Sequence, residues 1–202
     1  MTSAAEAAPT TSVDWRLVVL SGAKIGIVTS IGVAVFAFLS RGMSGTVEVL
    51  VQSILILAGG AVFSFGPAVF LRPTGVDTIS WTAMIGLLGA LTFTVVDVIV
   101  FRPIGLYHWT WDQIGGGSSY WYHPVWWMGS AFLAWLGSWI VTNGGEQGAI
   151  PGAAIKVLVA GIVASAVLIG VGIVPFHSVS VALGFTVGLI AMVPISVAMR
   201  RG

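Results

Sequence analysis

The stretch Gly152–Gly172, GAAIKVLVAGIVASAVLIGVG, carries one charged side chain, Lys156, in 21 residues. A helix that crosses the hydrocarbon core of a bilayer needs about 20 mostly apolar residues, because no water is present there to satisfy the backbone groups. The stretch therefore predicts a membrane-spanning helix. Its many glycine, alanine and serine residues allow helix backbones to approach each other closely, which predicts tight packing against neighbouring helices.

The rest of the chain has the same character. Hydrophobic residues make up 57% of the sequence, charged residues 7%, and the mean hydropathy is +1.02, whereas soluble domains carry about 25% charged residues. We therefore predict an all-α fold, a polytopic membrane helix bundle with six transmembrane helices. The predicted spans are Leu17–Leu39, Val47–Leu71, Ile79–Phe101, Val125–Val141, Ala153–Val174 and Val179–Met199.

The N-terminal residues differ from these spans because they are small and polar. We predict that residues 1–15 form a disordered tail and that residues 16–202 form one transmembrane domain. The first span is not expected to be a cleaved signal peptide. The sequence before it lacks a basic start, and the span itself is long enough to cross the membrane and has no small-residue cleavage site after it.

Lysine and arginine are distributed unevenly between the two ends of the predicted helices. If the N-terminus is cytoplasmic, that side holds six of the eight basic residues and the other side holds two. Because cytoplasmic ends carry an excess of basic residues, this predicts a multi-pass protein of the cell membrane with both termini in the cytoplasm. The cytoplasmic set is Arg16, Lys24, Arg72, Lys156, Arg200 and Arg201, and the other set is Arg41 and Arg102.

An aromatic loop is predicted between helices 3 and 4 on the extracytoplasmic side. The stretch Gly105–Trp127, GLYHWTWDQIGGGSSYWYHPVWW, contains all three tyrosines and five of the nine tryptophans of the chain. Tryptophan and tyrosine favour the membrane interface, so one interpretation is an anchoring belt. The concentration on one side also fits an ordered cap over a cavity that holds a flat, apolar or cationic molecule. Both interpretations stay open.

Two acidic residues, Glu48 and Asp97, are predicted near the same extracytoplasmic helix ends. Ionisable groups in a membrane span are costly and usually face protein or water and find a partner. Arg102 is the nearest cation in sequence to Asp97. The sequence therefore predicts an ion pair of Arg102 with Asp97 or with Glu48, and it leaves open a carboxylate used for proton or cation handling. All three histidines, including His177, fall at this side.

A metal site is a further hypothesis for the loop. His108 and Asp112 are four residues apart, so a helical turn would place both on one face, and His123 could complete a set of three ligands. The spacing matches no established metal motif. Interfacial histidines that bond to the backbone are the alternative.

Three functions are compatible with these patterns. The first is binding or transport of a small lipophilic or cationic molecule at an outward-facing aromatic cavity. The second is a membrane-embedded enzyme acting on a lipid or isoprenoid, with or without a metal, and the third is an accessory subunit that packs against a membrane protein partner or another copy. Nucleic-acid binding is excluded because no basic patch is present, and no cofactor class is indicated. The predicted ligand-binding residues are Glu48, Asp97, Arg102, Tyr107, His108, Trp109, Trp111, Asp112, Tyr120, Trp121, His123 and Trp126.

Overall fold

The structure, a computed structural model, describes residues 13–106, 123–144 and 150–201. All secondary structure in these ranges is helical, and six helices are long and apolar enough to cross a membrane. The predicted all-α bundle of six transmembrane helices is confirmed. Its helices are α1 (Trp15–Gly42), α2 (Gly45–Phe70), α3 (Val76–Val96), α4 (His123–Asn143), α5 (Ile150–Gly170) and α6 (Ser178–Arg201). A π-helical turn, Asp97–Phe101, continues α3.

The predicted helix bounds hold to within a few residues, with one clear error at the end of α5. The prediction extended this helix to Val174, but it ends at Gly170. Gly172 adopts a φ of +76°, and its amide and that of Ile173 donate to the carbonyls of Ile169 and Leu168. A glycine in this left-handed conformation ends a helix because the backbone turns back onto its last carbonyls.

Helices α2 and α4 form the middle of the bundle. Helix α2 contacts every other helix, the α1 and α3 pair packs on one side, and the α5 and α6 pair packs on the other. The largest core lies between α2, α4, α5 and α6 and contains Phe65, Leu136, Ile140, Val141, Val157, Phe185, Leu189 and Met192. A smaller core of Val18, Ile25 and Ile85 joins α1 to α3.

Glycines permit the closest helix contacts. A Cβ atom added at Gly22 in α1 would lie 2.5 Å from the Cβ of Leu88 in α3. One added at Gly86 in α3 would lie 2.8 Å from the carbonyl oxygen of Ser130 in α4. These contacts confirm that the small residues serve packing, as expected where helices associate in lipid without a hydrophobic driving force.

Because successive helices run in opposite directions, the bundle has two distinct ends. We call the end where α3 finishes and α4 begins the Asp97 end. It also holds the link between α1 and α2. The opposite end holds the start of α1 and the link between α2 and α3, where Trp15 and Trp81 contact edge to face at 5.9 Å. Because six helices cross from one end of the bundle to the other, the first and the last described residues, 13 and 201, both lie at this opposite end.

Candidate functional site at the Asp97 end

Asp97 begins the π-helical turn that ends α3. The Arg102 amide donates to the Asp97 carbonyl, five residues earlier, at 2.9 Å. In a regular α-helix each residue turns by about 100°, so side chains five residues apart point in different directions. The wider π turn brings them onto one face. The Nε atom of Arg102 therefore lies 2.9 Å from Oδ2 of Asp97, which confirms the predicted ion pair.

His123 brings a second helix to the same carboxylate. It is the first residue of α4, and its Nε2 atom lies 3.6 Å from the Asp97 Oδ2 that Arg102 binds. The Asp97 side chain is fully buried, and those of His123 and Arg102 are 7% and 20% exposed. A carboxylate, a guanidinium and an imidazole thus meet at one oxygen, where α3 ends and α4 begins. We call these three residues the Asp97 cluster.

Trp127, one turn further along α4, holds His123 in place. Its indole ring stacks on the imidazole with ring centres 6.3 Å apart and planes inclined by 16°. The indole Nε1 donates to Oγ1 of Thr94 at 3.0 Å, and that hydroxyl donates to the carbonyl of Ala90 at 2.9 Å. Because Thr94 lies on α3, this chain of contacts fixes the His123 ring beside Asp97.

The chain leaves the π-helical turn through Gly105, whose φ is +60°. The Gly105 amide donates to the Arg102 carbonyl and the Leu106 amide to the Phe101 carbonyl, both as in a glycine-terminated helix. Leu106 is buried against Phe101. The guanidinium of Arg41, on α1, donates to the carbonyls of Gly105 and Leu106. Leu106 and His123, the described residues on either side of residues 107–122, are therefore both held at the Asp97 end.

Glu48 has a different partner from the one considered for it. From the sequence, Arg102 could pair with either Asp97 or Glu48. In the structure Arg102 binds Asp97. The Glu48 carboxylate instead accepts from Gln52 at 2.9 Å, and the same amide nitrogen donates to Ser40 at 3.0 Å. Glu48 therefore belongs to a polar contact between the ends of α1 and α2.

The remaining predicted site residues divide into two groups. Seven of them lie outside the described residues, namely Tyr107, His108, Trp109, Trp111, Asp112, Tyr120 and Trp121. Trp126 is described and is 54% exposed. His177 is exposed before α6, where its Nδ1 accepts from the Val179 amide at 3.2 Å. Among the described contacts, His177 bonds to its own helix start and does not join the Asp97 cluster.

The metal hypothesis concerns residues that are mostly outside the described ranges. Within residues 13–106, 123–144 and 150–201, no group of three histidine, aspartate or glutamate side chains could hold a metal ion. His123 is the one predicted ligand in these ranges, and it faces a carboxylate that already binds Arg102. A site formed with His108 and Asp112 stays a prediction.

A small cavity lies at the opposite end of the bundle, between α4, α5 and α6. Its volume is about 20 Å³ and its lining includes Val141, Lys156 and Met192. A cavity of this size holds about one water molecule. It is therefore too small for a lipophilic ligand.

Two residues of the site, Thr94 and Trp127, were not predicted. Trp127 was counted only as one of many interfacial aromatics, and Thr94 as an ordinary residue of a span. Their spacing from Asp97 and His123 offers a signal: Thr94 precedes Asp97 by three residues and Trp127 follows His123 by four. Residues at these spacings lie on one helix face. The register of α3 against α4 was needed to pair them.

No protein-family model, curated protein or solved structure matches this chain. The six apolar helices identify it as an integral, multi-pass membrane protein. Any more specific function has to be inferred from the Asp97 end itself.

Proposed function

We propose that this membrane protein binds a small lipophilic molecule at the Asp97 end. The supporting observation is the fully buried Asp97 carboxylate, which Arg102 binds at 2.9 Å and which lies 3.6 Å from His123. Ionisable residues in membrane spans are costly and are usually kept for function. The π-helical turn at the same residue adds support, because such turns are frequent at functional sites.

Exposed apolar side chains adjoin this polar cluster in the chain. Ile99 is 68% exposed, Ile104 is 65% exposed and Trp126 is 54% exposed. A molecule that enters from the bilayer can place its apolar part against these side chains and its polar group near the Asp97 cluster. Binding sites for small molecules commonly combine an apolar wall with a few polar groups in this way.

The alternative is that the ion pair only ties helix ends together. A buried ion pair adds little net stability, because the cost of removing two charges from water offsets their attraction. Apolar side chains of similar volume would then hold the helix ends at least as well. The double variant Asp97→Leu/Arg102→Met separates the two explanations, because it should fold stably in both cases. If the Asp97 cluster forms the binding site, this variant loses ligand binding. If the cluster only ties helix ends together, any ligand binding by the native chain is retained.

The test uses a brominated long-chain alcohol, which quenches tryptophan fluorescence on contact, and the full chain in zwitterionic lipid nanodiscs. We expect saturable quenching above the linear background from bilayer partitioning. Trp127→Phe should remove much of the saturable part, because this indole stacks on His123. Trp135→Phe is the matched control, because Trp135 is 39% exposed further along α4 and not part of the cluster.

The double variant Asp97→Leu/Arg102→Met should retain the linear background and lose the saturable component. Quenching by the alcohol that is linear in the native chain, or that survives unchanged in the double variant, would rule out a binding site at the Asp97 end. Native mass spectrometry of the purified chain would then identify any lipid that remains bound and show its stoichiometry.

Transport, turnover of a lipid or isoprenoid, and an accessory role are alternative proposals that need separate observations. Uptake of the ligand into proteoliposomes would extend binding to transport. Turnover that single substitutions at Asp97 or His123 abolish would indicate an enzyme. Co-purification with a second membrane protein at fixed stoichiometry would indicate an accessory subunit.

A further inference from the structure

Lys24 places a positive charge on the exposed face of α1, within the apolar part of that helix. It is the tenth residue of α1, about 13 Å along the helix axis from Trp15. Its side chain is exposed, and the residues three, four and seven positions away on the same face are exposed and apolar, namely Leu17, Leu20, Ile27, Val28 and Ile31. A cation on such a lipid-facing surface is costly unless it reaches water or an anion.

The Lys24 side chain extends to the end of α2. Its ammonium lies 5.6 Å from the ring centre of Phe70, the last residue of that helix. Lysine stems commonly lie along apolar surface so that the ammonium reaches the membrane interface, and attraction to the ring face favours this position. Phe70 packs against the core that joins α1 to α3. The ammonium therefore lies at the seam between α1 and the end of α2, which we call the Lys24 seam.

A second exposed cation, Arg72, follows Phe70 by two residues in the link to α3. Val69, which precedes Phe70, is also exposed and apolar. Among residues 13–106, 123–144 and 150–201, the ion pairs are those of Asp97 with Arg102 and His123, so neither Lys24 nor Arg72 takes part in one. The Lys24 seam thus combines two cations with an apolar surface.

The sequence gives this end of the bundle an excess of positive charge. The helix ends and connecting segments there contain six basic and four acidic residues, and this count includes Glu6 and Glu146, which lie outside the described residues. The other two acids are Asp14 and Asp77. The Asp14 carboxylate is engaged as the cap of α1, where it accepts from the Arg16 amide at 2.9 Å. The balance therefore favours an anionic ligand over a cationic one.

The geometry points to a binding site for an anionic phospholipid at the Lys24 seam. Lys24 and Arg72 bind its phosphate, and an acyl chain lies along the exposed apolar face of α1. An ammonium offers three donors and a guanidinium binds phosphate through paired donors. Basic residues at helix ends attract anionic headgroups, whereas a zwitterionic lipid brings a cation of its own to a positively charged surface. This site is separate from the Asp97 end and does not rest on the proposed function.

The experiment compares two lipids with identical acyl chains, the anionic phosphatidylglycerol and the zwitterionic phosphatidylcholine. The full chain in non-ionic detergent is titrated with each lipid, and native mass spectrometry counts the molecules bound. We expect the first phosphatidylglycerol to bind about tenfold more tightly than the first phosphatidylcholine, or more, because each basic residue near an anionic headgroup contributes roughly fivefold. Excess inorganic phosphate should not displace the lipid, because it lacks the acyl chain that contacts α1.

Four variants test the two cations. Lys24→Gln and Arg72→Gln should each weaken phosphatidylglycerol binding about fivefold and leave phosphatidylcholine binding unchanged. Lys24→Arg keeps the charge and should keep the preference. Lys156→Gln is the matched control, because Lys156 is also an exposed lysine within a helix at this end. Its helix, α5, packs on the other side of the bundle from α1, so this variant should change phosphatidylglycerol binding little.

Three results would overturn the inference. Equal affinity of the native chain for the two lipids would remove the preference for an anion, and this comparison needs no variant to fold. Equal losses in Lys24→Gln and Lys156→Gln would show a general attraction by net charge and no site at the Lys24 seam. Displacement of the lipid by inorganic phosphate would show that the cations bind phosphate without its acyl chains. Lys24→Gln should keep the native thermal stability without lipid, and quenching by the brominated alcohol at the Asp97 end should not change in it.

Discussion

At the residue scale, Asp97 determines how the end of α3 is held. Asp97→Ala would remove the fully buried carboxylate that Arg102 binds at 2.9 Å. Breaking a buried ion pair costs about 3–5 kcal/mol, and because Arg102 is 20% exposed we expect a smaller loss, about 2 kcal/mol. Asp97→Asn should cost less, because its amide oxygen can still accept from Arg102. Thermal unfolding in detergent measures both.

The control for this prediction removes the cation as well. Asp97→Ala/Arg102→Met leaves no uncompensated charge, so it should recover most of the stability that Asp97→Ala loses. An equal loss in the single and the double variant would show that the volume of the aspartate, and not its charge, supports the helix end.

Thr94 and Trp127 offer a second prediction at this scale. Thr94→Val keeps the side-chain shape but removes the acceptor at 3.0 Å from the Trp127 indole nitrogen, so it should lower the unfolding free energy by about 1 kcal/mol. Thr92→Val is the matched control, because the hydroxyl of Thr92 donates to the Leu88 carbonyl of its own helix. Combined with Trp127→Phe, Thr94→Val should have little additional effect. Additive losses in this double-mutant cycle would contradict the proposed coupling.

At the element scale, the packing of α2 against α4 depends on Gly137. A Cβ atom there would collide with the backbone of Ser64, whereas one at Gly129 of the same helix would meet no atom within 4 Å. Gly137→Ala should therefore separate the two helices and cost about 3 kcal/mol or more. Gly129→Ala should be neutral or stabilising, because alanine favours a helix over glycine by about 1 kcal/mol. Thermal unfolding of the two variants under one condition tests the contact, and equal stabilities would contradict it.

The helices also show which features can be predicted from sequence. Their number and approximate length follow from apolar runs interrupted by glycine, proline and charge, because a membrane span must satisfy its own backbone. The π-helical turn could not be predicted in this way. A spacing of five residues between Asp97 and Arg102 is unfavourable for a contact in an α-helix, so the ion pair was expected from chemistry and the turn that forms it was not.

The approach of His123 to Asp97 also depends on more than one helix. It requires the register of α3 against α4, and this register is set by contacts such as that of Gly86 with Ser130. Such contacts between elements leave no local pattern in the sequence. Arg102 could not be assigned to Asp97 rather than Glu48 from spacing alone for a different reason, because that pairing depends on the π-helical turn.

At the scale of the whole molecule, the bundle places different chemistry at its two ends. The Asp97 end joins charged and aromatic side chains from α1, α3 and α4. The opposite end carries exposed basic side chains near helix ends, including Lys24, whose ammonium lies 5.6 Å from the Phe70 ring centre. Basic residues prefer the cytoplasmic side of a membrane protein. The asymmetry therefore predicts that the Asp97 end faces away from the cytoplasm.

This orientation can be measured directly because the chain contains no cysteine. Single cysteines introduced at the two helix links can be labelled without background. Ser44→Cys lies at the Asp97 end, where the serine is exposed and makes no side-chain cap bond to α2. Thr74→Cys lies in the exposed link at the opposite end. Neither change removes a side-chain contact within the core, so both variants should fold as the native chain does.

In intact cells, a membrane-impermeant maleimide should label Ser44→Cys and should reach Thr74→Cys only after the membrane is permeabilised. A fluorescent or enzymatic reporter fused after Gly202 should be active in the cytoplasm, since an even number of crossings returns the chain to the side on which α1 begins. A tag within the GGGSS stretch at residues 115–119 should be accessible from outside. The reverse labelling pattern would place the Asp97 cluster at the cytoplasmic leaflet, and a lipophilic ligand would then have to enter the site from that leaflet.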